Sequence, residues 1–477
     1  MLKNSFIFTG LFIFLFSCKP EKEKADLIIH HAVIYSVDSS FSIYEAMAVT
    51  NGSITALGSN AVILNGYQAP EVTDAHGKFI FPGFIDAHCH FLAYGKGLRN
   101  VDLVGTRSFK DVLARVLDFS KKDRDGSNWI IGRGWDQNDW IQKQYPTHVQ
   151  LDSLFPHRPV LLFRVDGHAV LANSEALRRS GINAFLKVNG GEMLTSGNKL
   201  SGILIDNAVD LVTTKMPASD NKQLADALLA AQRHCLALGL TTVDEAGLMK
   251  EEVDLIDRLQ QAGKLKIRIY AMLSDSLPNY KVYLDKGPYK TERLNVRSFK
   301  FYADGALGSR GACLLKEYTD QPGWNGFLLN NVAHFEKYAA LLAKNGFQMN
   351  THCIGDSAAR VILDIYAKYT REKKDRRWRI EHAQVISPTD LKKFNRNVIP
   401  SVQPTHATSD MPWAVERLGR ERLKSAYAYQ QLLEMSGTIA LGTDFPVEDI
   451  SPFKTFFCSR GPAGQQWISG KRISGQK

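Results

Sequence analysis

Cysteine is scarce in this chain, with six in 477 residues, scattered at positions 18, 89, 235, 313, 353 and 458. Such spacing gives no disulfide framework, and a chain of this length buries enough surface to fold without one. Internal repeats at solenoid periods and low-complexity tracts are missing too, which excludes a repeat array. No helix-turn-helix, zinc-finger or aromatic–basic pattern accompanies the net charge of +10. Clusters such as Arg371-Glu372-Lys373-Lys374 read as solvated helix ends, so nucleic acid is not an expected partner. Long apolar runs are also absent once the first residues are passed, and no spanning helix is expected beyond them.

The first residues differ from the rest. Met1-Leu2-Lys3-Asn4 gives a short positive start, Phe6 to Phe16 is almost wholly apolar, and Ser17-Cys18 ends the run. The run is too short for a stable span and reads as a signal peptide over 1–17. A cysteine in that place resembles a lipoprotein box, with Cys18 lipidated and residues 18–25 a polar tether. The expectation is an exported protein anchored to a membrane by acyl chains.

Residues 26–80 read as a small β unit. The runs 26–35, 46–50 and 53–58 are strand-like, and Asn51-Gly52 between the last two is a hairpin signal because both residues tolerate positive φ. From residue 81 the pattern turns to short apolar strands alternating with amphipathic helices, the mark of an α/β fold closed as a (β/α)₈ barrel. Eight candidate strands lie at 84–88, 241–245, 266–273, 297–303, 348–351, 378–382, 398–403 and 438–442. Helices are expected at 222–238 and 332–344, with Gly239 and Gly346 as stops. The interval after the first strand is too long for a crossover, so 104–221 is expected to be an insertion with its own strands at 129–132 and 160–165.

The chemistry-bearing residues fall at the C-terminal ends of these strands. Residues two apart on an extended backbone point the same way, so His88 and His90 in Asp86-Ala87-His88-Cys89-His90 can share one metal ion. Lys300 lies inside an otherwise apolar strand, where a bare ammonium is costly. His352, His382 and Asp444 end the fifth, sixth and eighth strands. A lone histidine in such a place is more often structural. Six such residues on the active face of one barrel form a metal-site pattern.

The series His-x-His, Lys, His, His, Asp on strands one, four, five, six and eight resembles the amidohydrolase superfamily. The phrases Phe81-Pro82-Gly83-Phe84-Ile85-Asp86-Ala87-His88-Cys89-His90, Ala303-Asp304-Gly305-Ala306-Leu307-Gly308-Ser309 and Arg379-Ile380-Glu381-His382-Ala383-Gln384 are similar to its family 3, the branch with N-substituted formamide deformylase-like proteins. The resemblance, over about 26–456, implies one or two divalent ions, zinc first among them. His88, His90 and Asp444 would hold one ion and His352 and His382 another, with a carboxylated Lys300 bridging. Metal binding lowers the pKa of a water to about 7, and Asp444 would carry its proton to the leaving nitrogen of a small amide-type substrate. Asp166 and His168, in a phrase like a family motif, are pocket candidates. So are Trp135, Asp304 as a residue orienting a ligand, and Trp413.

Family members continue past the eighth strand into a last helix and strands that complete the small β unit. Here residues 457–477 are basic, glycine-rich and free of acidic residues, so they are expected to be disordered, and a frameshift or premature end is the expected origin. The β unit would then be half of a sandwich, and the eighth strand would lose its cover. The competing function class is a non-catalytic surface lipoprotein on an amidohydrolase shell. The complete ligand set argues for the enzyme. Whether the chain forms a homo-oligomer is left open, as is its substrate.

Overall fold

The structure, a computed structural model, describes residues 21–122, 129–370 and 375–460. Cys18 and residues 461–477 lie outside them. The chain divides into two units after Gly83.

In the first unit, the strands Leu27–His30, Ala46–Thr50, Ser53–Gly58 and Glu71–Asp74 form one sheet, and Val33–Tyr35, Ile43–Tyr44 and Phe79–Ile80 a second. Asn51 and Gly52 both take positive φ, 52° and 73°, as the hairpin requires. Alternation buries Ile28, Ala46 and Ala48 against Ile63. Ile63 comes from a helix, Asn60–Gly66, started by the Ser59 side chain accepting from Val62 N. That helix was not expected from the β-like pattern. Ile43 and Phe79 stay 57% and 66% exposed, so the second sheet presents apolar surface.

The second unit is built on eight parallel strands: β1 (Phe84–Cys89), β2 (Leu240–Leu248), β3 (Arg268–Ser274), β4 (Leu294–Tyr302), β5 (Gln348–Cys353), β6 (Trp378–His382), β7 (Val398–Val402) and β8 (Ala440–Leu441). They hydrogen-bond in that order. All eight expected segments are strands. Alternate residues divide the two faces: Phe299, Phe301, Met349 and Ile380 pack outward on the helices, while Ser298, Lys300, Asn350, Arg379 and Glu381 turn inward. The helix Val332–Lys344 shows the matching period, burying Phe335, Tyr338, Ala339 and Leu342. Its Asn331 side chain accepts from His334 N at the start, and Gly346 follows its end at φ 75°.

Among the described residues β1 and β8 share no ladder, but the seam is closed just beyond their ends. Asp444 N donates to His88 O at 2.8 Å, and His90 N donates to Phe445 O at 2.8 Å. Asp86 clamps the same junction, accepting from His88 N at 3.1 Å, Thr443 N at 3.0 Å and Thr443 Oγ1 at 2.7 Å. The strands meet this closely because residue 442 is glycine: a Cβ there would lie 2.5 Å from His88 N. β8 is shorter than the expected 438–442, since its exit turns at once into the loop carrying Asp444.

The insertion forms its own six-stranded sheet, in the order Val101–Asp102, Ile130–Trp135, Val160–Arg164, Ala169–Ala172, Lys199–Asp206 and Gly191–Ser196. It begins three residues before the expected 104, because Val101 and Asp102 pair with Gly132 and Arg133. The expected tail also needs correction at its start. Residues 457–460 belong to the helix Pro452–Arg460, whose Phe453 and Phe456 rings lie 5.4 Å from Phe84 while staying 57% and 46% exposed, so the helix covers this end of the barrel only in part. The ring contacts outweigh the glycine-rich sequence that follows.

Gly442→Ala forces a methyl group into the β1 backbone at the seam. The melting midpoint of the full chain should fall by roughly 2–6 °C, read by calorimetry. An unchanged midpoint would mean that the seam does not need this close approach.

Candidate metal centre

Three inward histidines begin the site. β1 and the residue after it present His88 and His90; β6 ends in His382. Asp444 faces them from the loop after β8. Asp444 Oδ1 lies 3.3 Å from His90 Nε2 and 3.6 Å from His88 Nε2, and Asp444 Oδ2 lies 3.6 Å from His406 Nε2. Two overlapping groups result, His88, His90 and Asp444, and His382, His406 and Asp444, each with its ligand atoms within 4.8 Å of one another. His382, Ala383 and Asp444 all have positive φ, at 69°, 42° and 61°. Left-handed backbone at three non-glycine residues of one site is strain held by the surrounding fold.

Fixed partners orient two of the rings. His88 Nδ1 is 2.5 Å from Glu381 Oε2. Burial opposes ionisation of Glu381, but Arg379 and His88 outweigh it and hold the carboxyl far below the usual range. A carboxylate only accepts, so Nδ1 of His88 carries the proton and Nε2 keeps its lone pair for the site. Gln403 Oε1 does the same for His382 Nδ1 at 2.7 Å. Burial pushes the His88 imidazole down to about 4, helped by the charge of Lys300, and burial likewise pushes His90, His352 and His382 down. Neutral imidazoles are what a cation needs. Burial alone would raise Asp444, yet the neighbouring His90, His88 and His382 keep it well below the ordinary carboxylate value.

A divalent ion fits this donor set. Asp444 Oδ1 and His406 Nε2 are buried without any hydrogen-bond partner, an arrangement that costs free energy unless a ligand satisfies both. Imidazole nitrogens and carboxylate oxygens suit zinc and its neighbours in the first transition row. A further group, His30, His31 and Asp74, lies in the first unit, half-exposed and already joined by the 2.9 Å hydrogen bond between His31 and Asp74.

The expected ligands His88, His90, Lys300, His352, His382 and Asp444 all converge. Lys300 Nζ is 3.3 Å from His88 Nε2 and 4.4 Å from the Tyr302 ring centre, and burial lowers its pKa to about 8. His352 stands 4.5 Å from His382, ring to ring, but its Nε2 lies 3.4 Å from Gly305 O. The third member beside His382 and Asp444 is instead His406, which sequence reasoning missed. Its signal was present: Gln403-Pro404-Thr405-His406 leaves β7 on the same barrel face as the others.

The pocket candidates separate. A cavity of about 950 Å³ opens over the centre, with Arg133, Asp166, His168, Trp413 and Asp444 in its wall. His168 Nδ1 is 2.6 Å from Asp206. Burial disfavours its charged form, but Asp206 outweighs burial and raises its pKa. Trp135 is not in that wall. It is buried in the insertion's core beside Trp140 and donates to Leu162 O at 2.8 Å. It stands five positions after Ile130, and the register shift between Arg133 and Trp135, with Gly134 at φ 112°, turns Trp135 into the core that also holds Ile130. Asp304 is also not a wall residue. It accepts from Cys313 N, Ile354 N and Gly355 N at 2.7–3.0 Å, pinning two loops, and is 3.7 Å from His352, beyond hydrogen-bond reach.

The amidohydrolase family model matches residues 71–457. Protein LONG AFTER FAR-RED 3 of Arabidopsis thaliana is 32% identical over 94% of this chain and 81% of its own length. The putative amidohydrolase YtcJ of Bacillus subtilis is 31% identical over 89% and 82%, and the N-substituted formamide deformylase of Arthrobacter pascens is 26% identical over 75% and 69%. A metal-dependent hydrolase from Pyrococcus horikoshii superposes with a TM-score of 0.72 at 25% identity, covering 93% of this chain and 89% of that one.

Purified full chain should carry close to one or two equivalents of divalent metal by elemental analysis. Asp444→Asn, which touches both ligand groups, should lose more metal than His406→Ala, which touches one. Equal retention in both variants would contradict the shared role of Asp444.

Proposed function

The chain belongs to the amidohydrolase family, and from that premise we propose that it hydrolyses a non-peptide carbon–nitrogen bond of an amide or formamide at a two-zinc centre. The observation that carries this reading is Asp444 Oδ1, a buried carboxylate oxygen with no partner, set between His88 and His90. His88, His90 and Asp444 would hold one ion and His382 and His406 the other, with His352 and Lys300 beside them. When bound, divalent ions lower the pKa of a water and polarise a carbonyl group.

The protein's own groups supply the rest. Asp444 takes the proton of the attacking water as its oxygen joins the carbonyl carbon, then gives that proton to the nitrogen as the C–N bond breaks. His168, held through Nδ1 by Asp206, keeps Nε2 for the substrate carbonyl oxygen and is charged more readily than an ordinary histidine. Lys300, with its pKa brought down to about 8, has a neutral amine fraction near pH 7 that can add CO₂ and release a proton. The resulting carbamate would place a negative charge between the ligand groups.

A panel of formamides, N-acyl amino acids and cyclic amides tests the reading on zinc-loaded full chain. At least one class should be turned over. Asp444→Asn should lower kcat by about 10³-fold and His168→Gln by about 10–100-fold. Bicarbonate should raise the activity of wild type and not of Lys300→Met. No turnover by the metal-loaded wild type on any class would sink the proposal.

We also propose attachment to a membrane through Cys18, supported by the apolar run and small residue before it. Among the described residues no helix is long and apolar enough to cross a membrane. Cys18→Ala should move the protein from the membrane to the soluble fraction of expressing bacteria. Continued membrane association would refute the lipid anchor.

A further inference from the structure

Arg133 enters the cavity from the insertion strand Ile130–Trp135. Its one hydrogen bond among the described residues is from Nη2 to Val165 O at 3.0 Å, and its Nε is buried with no partner. The obvious counter-ions are taken. Asp136 and Asp166 both pair with Arg164, which also donates to Gln137 Oε1 at 2.9 Å. Elsewhere in the wall, Lys454 pairs with Asp449, and Asp410 accepts from Tyr427 at 2.7 Å. Gly167 makes room for the guanidinium, since a Cβ there would lie 3.1 Å from both Nη atoms. The cation is near enough to the metal centre for its charge to act on His90, Asp444 and Tyr302.

An arginine half-buried in a substrate cavity, without a carboxylate of its own and with a free face, is built to receive a planar anion. It shares the cavity wall with His90 and Asp444, so an anion held there sits in the same cavity as the scissile bond. We infer that Arg133 forms a carboxylate subsite and that the substrate is an N-formyl or N-acyl compound bearing a carboxylate, such as an N-formyl amino acid. The inference rests on the hydrolase reading above and narrows it to one charge class. The carboxylate pairs with the fork of Arg133 while the C–N bond lies at the metal centre.

Two matched ligands decide it: an N-formyl amino acid and the same compound with its carboxylate as a carboxamide. On zinc-loaded full chain, the acid should be the better substrate by at least tenfold in kcat/KM. Arg133→Met should lose about 100-fold on the acid, chiefly through KM, and change the carboxamide less than threefold. Arg133→Lys should restore part of the loss. Calorimetric binding of the two ligands to wild type and Arg133→Met gives a readout independent of turnover. Wild type should bind the acid at least tenfold more tightly than the carboxamide, and Arg133→Met should bind both alike. If wild type hydrolyses neither ligand but still binds the acid selectively through Arg133, the subsite stands and the substrate assignment fails; if it also turns over no other class of amide, the hydrolase reading fails with it. Equal wild-type affinity for acid and carboxamide, or equal losses on both in Arg133→Met with an unchanged melting midpoint, overturns the subsite.

Discussion

The meeting of β1 with the exit of β8 governs this fold and its site together. Eight parallel strands leave two edges, and each edge is a row of unpaired backbone groups until the cylinder closes. Here closure falls to the bonds between Asp444 N and His88 O and between His90 N and Phe445 O, with Asp86 bridging both sides. The residues whose backbones close the cylinder are therefore those whose side chains converge on the candidate centre. His88, His90 and Asp444 cannot drift apart without opening the barrel. The left-handed backbone of Asp444 is held by that closure rather than by its own preference.

Beneath the centre lies a chain of buried charge that an apolar core would not tolerate unpaired. Arg379 donates to both oxygens of Glu381 at 2.6 and 2.9 Å, to Asp244 at 2.7 Å and to Ser401 at 2.9 Å, tying β6 to β2 and β7. Glu381 then fixes His88. Each group answers the next, and the series ends beside His88 at Asp444, whose Oδ1 is buried and unanswered. A cation completes it. That is a physical reason for the family's metal dependence to apply to this chain, argued from its own atoms.

Much of this was legible in the sequence because period-two alternation and strand-exit position are local. Lys300 stands out in Phe299-Lys300-Phe301 because inward and outward residues alternate there, and His88-Cys89-His90 declares its shared face the same way. What stayed hidden depends on tertiary partners. His406 sits in a short helix after β7, where its nearness to a strand exit is the one local signal and no alternation marks it, and only the fold carries it to Asp444. Trp135 and Asp136 are neighbours in sequence, but a strand sends them to opposite faces, one into the core and one to the cavity. Asp304 lies in a family-like phrase, yet three backbone N–H groups claim its carboxylate. The helix Pro452–Arg460 runs beyond the point where the sequence turns glycine-rich, because Phe84 offers Phe453 and Phe456 a surface.

The division of labour between barrel and insertion follows from these geometries. The barrel strands supply groups that must be held rigidly and at short mutual distances, and a hydrogen-bonded cylinder does this with little freedom. The insertion supplies Arg133, Asp136, Arg164, Asp166 and His168, which face the cavity from a separate sheet with its own core. Because that core is independent, its loops can change without disturbing the strand exits, whereas a change at the seam disturbs both. The cavity wall and the metal-centre residues are thus carried largely by parts of the chain under different constraints, with His168 reaching the centre from the insertion side. That is why residues near the centre can be read from the family's pattern while the wall that chooses the substrate has to be read from charges and hydrogen bonds.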